Sequence, residues 1–157
     1  MTFLNLVVRK AVREDLANIK NFNQKMALET EGIYLEEETL ASGIKALFDN
    51  SDRGFYLVSE NPEFGTLGTL AITFEWSDWR NGMFWWIQSV YVKKEARKQE
   101  VFTQMYKEVK FLAKKDPFAC GVRLYVEKTN LTAQKTYAQL GMKETHYQMW
   151  EELFDRT

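Results

Sequence analysis

Residues 83–103, which read MFWWIQSVYVKKEARKQEVFT, decide the fold of this chain. The first ten residues of this stretch are almost all apolar, the pattern of a strand that is buried on both faces of a sheet. A charged segment follows, and a helix is predicted over 98–114 because apolar residues recur near the helical period. These apolar positions are Val101, Met105, Val109 and Leu112. The sequence therefore predicts a central strand that leads through a charged loop into an amphipathic helix.

The segments on either side alternate between helical and strand periods. Upstream, we predict a strand over 6–9, helices over 13–28 and 36–48, and strands over 54–60 and 66–76. Downstream, we predict a strand over 122–127, a helix between Asn130 and Gly141, and a last strand over 144–153. The resulting order is β-α-α-β-β-β-α-β-α-β. It predicts an α/β fold with a mixed, mostly antiparallel central sheet and helices on both faces.

The composition fits one domain over 1–157. Hydrophobic residues make up 45% of the chain, and 21 basic side chains balance 22 acidic ones. This balance lacks the concentrated basic face of nucleic-acid-binding proteins, and no apolar run approaches the ~20 residues of a membrane helix. Cys120 is the only cysteine, which suits a reducing, cytoplasmic location. His146 is the only histidine and no metal-ligand spacing occurs, so we expect no nucleic-acid, membrane or metal binding.

Two segments carry a resemblance to a known family. The first is SVYVKKEAR at 89–97, and the second, over 123–142, places Asn130, Ala133, Tyr137 and Gly141 at the spacing Asn-x-x-Ala-x-x-x-Tyr-x-x-x-Gly. Over about 7–153 the chain resembles the GNAT family of acyl-CoA-dependent N-acetyltransferases. The resemblance implies a sheet that is splayed in the middle and acetyl-CoA as co-substrate. It also implies direct transfer of the acetyl group to a primary amine of a small molecule or peptide in a ternary complex.

The resemblance places the coenzyme on the strand, the loop and the helix start. Ser89, Val90, Tyr91 and Val92 would supply main-chain groups to the pantetheine arm, with an N–H near Val90 as oxyanion donor. A helix N-terminus favours anions. The pyrophosphate would therefore lie on the residues Arg97, Lys98, Gln99, Glu100, Val101, Phe102 and Thr103. Asn130 would contact the coenzyme, cap its helix, or do both.

Two loop positions depart from the family pattern Arg/Gln-x-x-Gly-x-Gly/Ala. Glu100 and Phe102 stand where the pattern has glycine and a small residue. The Glu100 carboxylate would compete with phosphate for N–H donors, although an ordinary helix N-terminus also favours an acid there. With a helix from 98, Glu100→Gly would tighten acetyl-CoA binding and lower stability by ~1 kcal/mol. These departures support an alternative function, a catalytically impaired GNAT-fold module that binds acyl-CoA or a protein partner as a sensor or regulatory subunit.

The tyrosine at the place of Tyr137 is the general acid of the family and lies beside the thioester sulfur. Transfer to an amine expels the coenzyme A thiolate, whose thiol has a pKa of ~8.5, within reach of a phenol donor. The other interpretation of Tyr137 is a core tyrosine on the apolar face that Ala133 and Leu140 define.

The aromatic segment 74–87 resembles the matching hairpin of diamine and thialysine acetyltransferases. Aromatic faces and carboxylates bind ammonium groups through cation–π contacts and charge pairing. The residues predicted to bind the acceptor are Glu29, Glu31, Trp76, Trp79, Trp85 and Gln88. Gln88 replaces an acidic residue of those relatives, so the candidate bases, acting directly or through water, are Glu31, Glu75 and Asp78. The other interpretation of Trp76 and Trp79 is that they cover a sheet edge or a homodimer interface.

Overall fold

The computed structural model describes residues 5–156, which divide into two compact units on either side of the Tyr125–Val126 bond. The strands of the first unit are β1 (Val7–Lys10), β2 (Gly54–Asn61), β3 (Gly65–Ser77), β4 (Gly82–Val92) and β5 (Ala119–Arg123). Its helices are α1 (Leu16–Glu31), α2 (Glu37–Asp49) and α3 (Val101–Lys115), with short 3-10 turns at Arg13–Asp15 and Lys94–Ala96. The second unit contains α4 (Leu131–Gln139).

The five strands form one sheet in the order β1-β2-β3-β4-β5. Neighbouring strands from β1 to β4 pair antiparallel, whereas β5 pairs parallel with β4. A parallel neighbour needs a crossover connection, which α3 supplies here. This arrangement confirms the predicted α/β class with a mixed, mostly antiparallel sheet.

The core lies on both faces of the sheet because strand residues alternate between the faces. On one face, Ile19 of α1 and Ile44 of α2 pack with Tyr56, Val58 and Ala71. On the other face α3 approaches β3 closely. A side chain at Gly68 would lie 3.1 Å from the Met105 methyl group, so this glycine provides the space for the helix. No helix within residues 5–156 is long and apolar enough to cross a membrane.

The first helix begins later than the predicted residue 13, because Asp15 ends a 3-10 turn instead of continuing a helix. The Asp15 carboxylate accepts hydrogen bonds from the Val12 N–H at 2.7 Å and from the Arg9 guanidinium at 2.8 Å. Burial alone would raise the pKa of Asp15, but the Arg9 and Val12 hydrogen bonds outweigh it and hold that pKa below its usual range. The ion pair between Arg9 and Asp15 therefore connects this turn to β1.

The predicted strands after α3 differ most from the structure. The strand predicted over 122–127 lies earlier, at Ala119–Arg123, and no strand forms over 144–153 among the described residues. A high strand propensity means that the side chains of a segment suit a half-buried sheet surface. A strand forms only where the backbone of that segment also pairs with a neighbouring strand. The order predicted from the sequence is therefore confirmed up to α4, and its last strand is wrong for this structure.

Candidate functional site

Strand β4 has one half that is paired on both sides and another that is open on one side. From Met83 to Trp86 the strand pairs with both β3 and β5, and its pairing with β5 ends where Trp86 meets Arg123. From 87 to 92 the ladders of the described residues pair β4 with β3 alone. The sheet is therefore splayed beyond Trp86, as the resemblance implies.

A β-bulge interrupts the open half. Tyr91 pairs with Thr69 and Gln88 pairs with Ala71, so two β4 residues, Ser89 and Val90, oppose the single residue between those partners on β3. Ser89 has a φ of +51°, in the left-handed region that non-glycine residues rarely adopt. Bulges of this kind re-aim backbone groups next to binding sites.

The loop after β4 adopts a glycine-like backbone without containing glycine. Lys98 has a φ of +61°, and Glu100, with a φ of +66°, is the N-cap of α3. Glu100 thus has the left-handed conformation for which the family pattern uses glycine. The helix begins at Val101, not at the predicted 98, so Glu100→Gly would remove backbone strain instead of placing a glycine inside a helix. The expected ~1 kcal/mol loss from that substitution is wrong.

The start of α3 has the backbone geometry of an anion site. The first N–H groups of a helix have no partner within the helix, and the helix dipole is positive there. The first turn of α3 begins at Val101 and includes Thr103, two of the residues predicted to hold a pyrophosphate. Arg97 precedes them and donates from Nε to the Val92 carbonyl at 2.9 Å. The open end of β4 and this helix start are therefore joined through Arg97.

A pocket of about 300 Å³ opens beside the bulge. Its lining residues are Met26, Glu29, Thr30, Val90, Tyr91, Val92 and Arg97. The Glu29 carboxylate accepts hydrogen bonds from the Tyr91 hydroxyl at 3.0 Å and from Arg97 at 2.7 Å, and the Arg97 guanidinium lies 5.4 Å from the centre of the Tyr91 ring. Glu29, predicted to bind the acceptor, therefore shares this pocket with residues predicted to bind the coenzyme.

The charges in this pocket shift the pKa values of its titratable groups. Burial alone would raise the pKa of the Glu29 carboxyl, but the hydrogen bonds from Arg97 and Tyr91 outweigh it and hold the pKa below its usual range. Burial raises the pKa of the Tyr91 hydroxyl, and its hydrogen bond to Glu29 raises it further. Glu29 is therefore ionised at neutral pH and Tyr91 is neutral.

A second polar cluster lies on the closed half of β4. The Glu75 carboxylate accepts from Arg123 at 2.7 Å and from the Trp86 indole N–H at 3.2 Å. The Arg123 guanidinium lies 3.5 Å from the centre of the Phe84 ring. Along the same face of the sheet, the Gln88 amide donates to the Thr73 hydroxyl. Glu75 and Gln88, both predicted at the acceptor side, thus share one face of the sheet.

The other residues predicted at the acceptor side are spread over the first unit. Glu31 is exposed at the end of α1. Trp79 is 86% exposed in the β3–β4 turn, where Asp78 accepts its backbone N–H at 2.9 Å, and Trp76 is about half exposed. Trp85 lies on the opposite face of the sheet from Gln88 and is buried against Phe55 and Phe74. The structure therefore does not bring Trp85 together with Gln88.

The second unit holds the other predicted residues. The Asn130 side chain accepts from the Ala133 N–H at 3.1 Å and caps α4. Of the two roles predicted for Asn130, helix cap and coenzyme contact, this bond confirms the helix cap. Tyr137 lies in α4 and is half-buried, and burial raises the pKa of its hydroxyl above the ordinary phenol value. A raised pKa keeps the hydroxyl protonated over the physiological range.

Sequence reasoning missed Arg123 and Thr73 as members of the polar clusters. Their contacts depend on which residues face each other across β4, and the parallel register of β4 with β5 leaves no mark in a single sequence. The pairing of Glu29 with Arg97 was also not predicted, because the two residues are 68 positions apart. The only available signal was that both belong to segments predicted to line the site.

The splayed mixed sheet, the bulged strand and the loop before α3 are the features that the resemblance to the GNAT family implies. The model of the acetyltransferase (GNAT) family matches residues 15–142, which is most of the chain. The chain therefore belongs to the GNAT family of acetyltransferases. A comparison with curated proteins finds no significant match.

Solved structures show the same fold. A possible acetyltransferase from Clostridium difficile 630 is 41% identical, with a TM-score of 0.87 over 96% of this chain and 99% of the other. A transcriptional regulator from Bacillus halodurans C-125 is 20% identical, with a TM-score of 0.81 over 95% and 100%. A predicted acetyltransferase with acetyl-CoA from Clostridium acetobutylicum is also 20% identical, with a TM-score of 0.74 over 95% and 96%. The last two share the fold.

Proposed function

We propose that this chain transfers the acetyl group of acetyl-CoA to a primary amine of a small molecule or peptide by direct attack in a ternary complex. The observation that carries the proposal is the open half of β4. This half contains a bulge at Ser89, and Arg97 connects it to the start of α3. There Glu100 has the left-handed backbone conformation for which the family pattern uses glycine. The solved relative with acetyl-CoA supports the choice of donor.

The first unit supplies the donors that bind the coenzyme in this proposal. The N–H groups at the start of α3, together with Arg97 and Lys98, bind the pyrophosphate, since a helix start and nearby cations favour anions. Main-chain groups of 89–92 bind the pantetheine arm, and the Val90 N–H donates to the carbonyl oxygen as negative charge develops on it. Ser89 and Val90 have no partner in the ladder between β3 and β4, which supports this role.

The chemical step balances with one acid and one base. The neutral amine attacks the thioester carbonyl carbon, a C–N bond forms, and the C–S bond breaks. Tyr137 donates its proton to the departing thiolate, and its raised pKa keeps it protonated before that step. Glu75, Glu31 or Asp78, directly or through water, takes the proton of the incoming ammonium. Glu75 is favoured because it shares a sheet face with Gln88.

The acceptor carries a positive charge before it reacts, so the proposal assigns its binding to anionic and aromatic groups. Glu29 offers a carboxylate in the pocket beside Val90, and Trp76 and Trp79 offer exposed rings for cation–π contact. Gln88 completes this set as a neutral hydrogen-bonding group. We further infer that 1–157 works as one acetyltransferase domain, that it acts in the cytoplasm, and that it forms a homodimer.

The substitution Tyr137→Phe tests the proposed acid. It retains the packing of the ring and removes the hydroxyl, so turnover with an amine should fall by roughly 10²–10⁴ while acetyl-CoA affinity changes little. Tyr34→Phe is the matched control, because Tyr34 is 78% exposed and has no proposed role. Steady-state rates and titration calorimetry measure the two effects. An undiminished rate in Tyr137→Phe would return Tyr137 to a structural role.

Binding of the donor is tested separately by thermal unfolding. Acetyl-CoA at about 100 times its dissociation constant should stabilise the protein by about 2.7 kcal/mol. Absence of any shift at millimolar acetyl-CoA would contradict the proposed donor and favour a partner-binding module. A shift with no turnover of any amine would favour the sensor function.

A further inference from the structure

A second pocket, of about 390 Å³, lies on the face of the sheet that α3 covers. Its apolar wall contains Phe55, Phe74 and Trp85, which come from three neighbouring strands, and Leu112 near the end of α3 also lines it. All of its lining residues belong to the first unit, and none of them is proposed to bind acetyl-CoA or the amine. This aromatic pocket has the size of a small-molecule site.

The three aromatic rings of this pocket form one cluster. The ring centre of Trp85 lies 5.5 Å from that of Phe55 and 5.5 Å from that of Phe74. The indole N–H of Trp85 is buried and has no hydrogen-bond partner within residues 5–156, so packing alone holds this ring in place. Aromatic side chains provide large apolar areas and prefer offset or edge-to-face contacts with other rings. The cluster therefore suits a flat, apolar ligand.

Two lysines add positive charge to the aromatic pocket. Lys10 of β1 and Lys115 of α3 are exposed, and neither forms an ion pair in the described part of the chain. The Lys10 ammonium lies 4.5 Å from the centre of the Phe55 ring, so a cation–π contact keeps its charge beside the cluster. Asp116 also lines the pocket, and its carboxylate accepts the Phe118 N–H at 2.9 Å. Two cations against one acid favour an anionic ligand.

The two lysines differ in what else explains them. Lys115 lies in the last turn of α3, where a cation compensates the negative end of the helix dipole. Lys10 pairs with Leu57 across β1 and β2, and residues that pair in this way share a face of the sheet. Leu57 is fully buried on that face. Lys10 is therefore a cation beside an apolar core, and it gives the clearer indication of an anionic ligand.

We propose that the aromatic pocket binds a small aromatic carboxylate. Its ring packs against Phe55, Phe74 and Trp85, and its carboxylate pairs with the ammonium groups of Lys10 and Lys115. The inference goes beyond the acetyl-transfer function and does not depend on it.

A nuclear magnetic resonance titration of the isotope-labelled chain with cinnamate tests the proposal. The amide signals of Phe55 and Leu112 and the indole N–H signal of Trp85 should shift together and give one dissociation constant. Cinnamamide has the same ring and no charge, so it should bind at least about 10-fold more weakly. Acetate lacks the ring and should leave these signals unchanged.

Three outcomes of this titration would overturn the proposal. The first is the absence of any shift at millimolar cinnamate, and the second is equal affinity for cinnamate and cinnamamide. The third is a set of shifts confined to Val90 and Tyr91, which would place the probe in the pocket beside the bulge.

Substitution of the lysines tests the charge contacts without disturbing the core. Lys10→Gln should weaken cinnamate binding about 3–5-fold, the effect of one exposed ion pair, and leave cinnamamide binding unchanged. The double variant with Lys115→Gln should bind cinnamate as weakly as cinnamamide. Lys25→Gln is the matched control, because Lys25 is exposed on α1, which packs on the other face of the sheet. Equal cinnamate affinity in Lys10→Gln and Lys25→Gln would overturn the proposal, whereas the acetyl-transfer assay is independent of either result.

Discussion

The two halves of β4 have similar apolar sequences and opposite structural roles. The half from Met83 to Trp86 is fixed between two neighbouring strands, whereas the half from 87 to 92 pairs on one side and contains a bulge. Hydrophobicity keeps the whole strand at least partly buried, but it does not determine which backbone groups pair and which stay available to a ligand. The availability of these backbone groups depends on where the pairing with β5 ends and on the positive φ of Ser89. The closed half should therefore control stability and the open half should control ligand binding.

The largest effect is expected in the closed half, from Gly82→Val. A side chain at Gly82 would lie 2.8 Å from the Phe118 carbonyl oxygen and 3.0 Å from the Cys120 β-carbon. Overpacking of this kind costs about 1–3 kcal/mol, and the backbone position of the clash places this variant at the upper end. Urea unfolding measures the loss. In the control Gly43→Ala, no atom beyond the adjoining residues and the nearby backbone of α2 lies within 4 Å of the new side chain, and stability should stay unchanged or rise.

In the open half, Arg97→Ala should separate binding from stability. Arg97 is exposed, so its ion pair with Glu29 contributes little to folding. A charged hydrogen bond to a bound pyrophosphate is worth about 1.5–3 kcal/mol, so acetyl-CoA affinity should fall about 10–100-fold. Titration calorimetry and thermal unfolding measure the two quantities. Arg53→Ala removes an exposed cation from a turn and should change neither. Equal affinity in both variants would remove Arg97 from the coenzyme site.

The bulge can be tested at Ser89 by two substitutions with opposite expectations. A β-branched side chain at a φ of +51° is strained, so Ser89→Val should lose about 1–2 kcal/mol of stability and the activity that depends on the bulge. Ser89→Gly relieves the strain and should be at least as stable as the wild type. Calorimetric melting and acetyl-transfer rates distinguish them. Identical behaviour of the two variants would mean that the backbone conformation at Ser89 is unimportant.

The smallest effect is expected at the helix start. Glu100→Gly should raise stability by up to about 1 kcal/mol, because glycine adopts the φ of +66° without the clash of a side chain. Loss of the carboxylate next to the anion site should also tighten acetyl-CoA binding, most clearly at low salt where charges are least screened. Glu100→Gln separates the two causes, since it removes the charge and retains the strain. A lower melting temperature in Glu100→Gly would contradict the left-handed N-cap.

The sequence predictions are most accurate for elements that form through interactions between residues close together in the chain. The apolar run of β4 and the spacing of Val101, Met105 and Val109 are local patterns, and both elements formed close to their predicted limits. The last strand over 144–153 has an equally clear local pattern, but no neighbour pairs with it among the described residues. A local pattern therefore identifies a strand only where the fold also supplies a partner.

The candidate site shows the same limit. The open half of β4 and α3 follow each other in the chain, so local patterns identified both elements, although α3 begins at Val101 and not at the predicted 98. Which side chains share a face was harder to predict, since Trp85 and Trp86 are neighbours in sequence and lie on opposite faces of the sheet. The left-handed N-cap could not be predicted, because its residue is Glu100 and the usual signal for that backbone is glycine.

The ion pair between Glu29 and Arg97 has a consequence for how two ligands change each other's affinity. An anion that takes a hydrogen bond from Arg97 weakens the hold of Arg97 on Glu29, which leaves the carboxylate available to a cation. The reverse also holds, because a cation that engages Glu29 releases Arg97. Thermodynamic linkage makes the two effects equal, so each ligand should strengthen the other's affinity by the same factor. One pair of charges, which joins the end of α1 to the loop before α3, should thus make the occupancy of the two ligands cooperative.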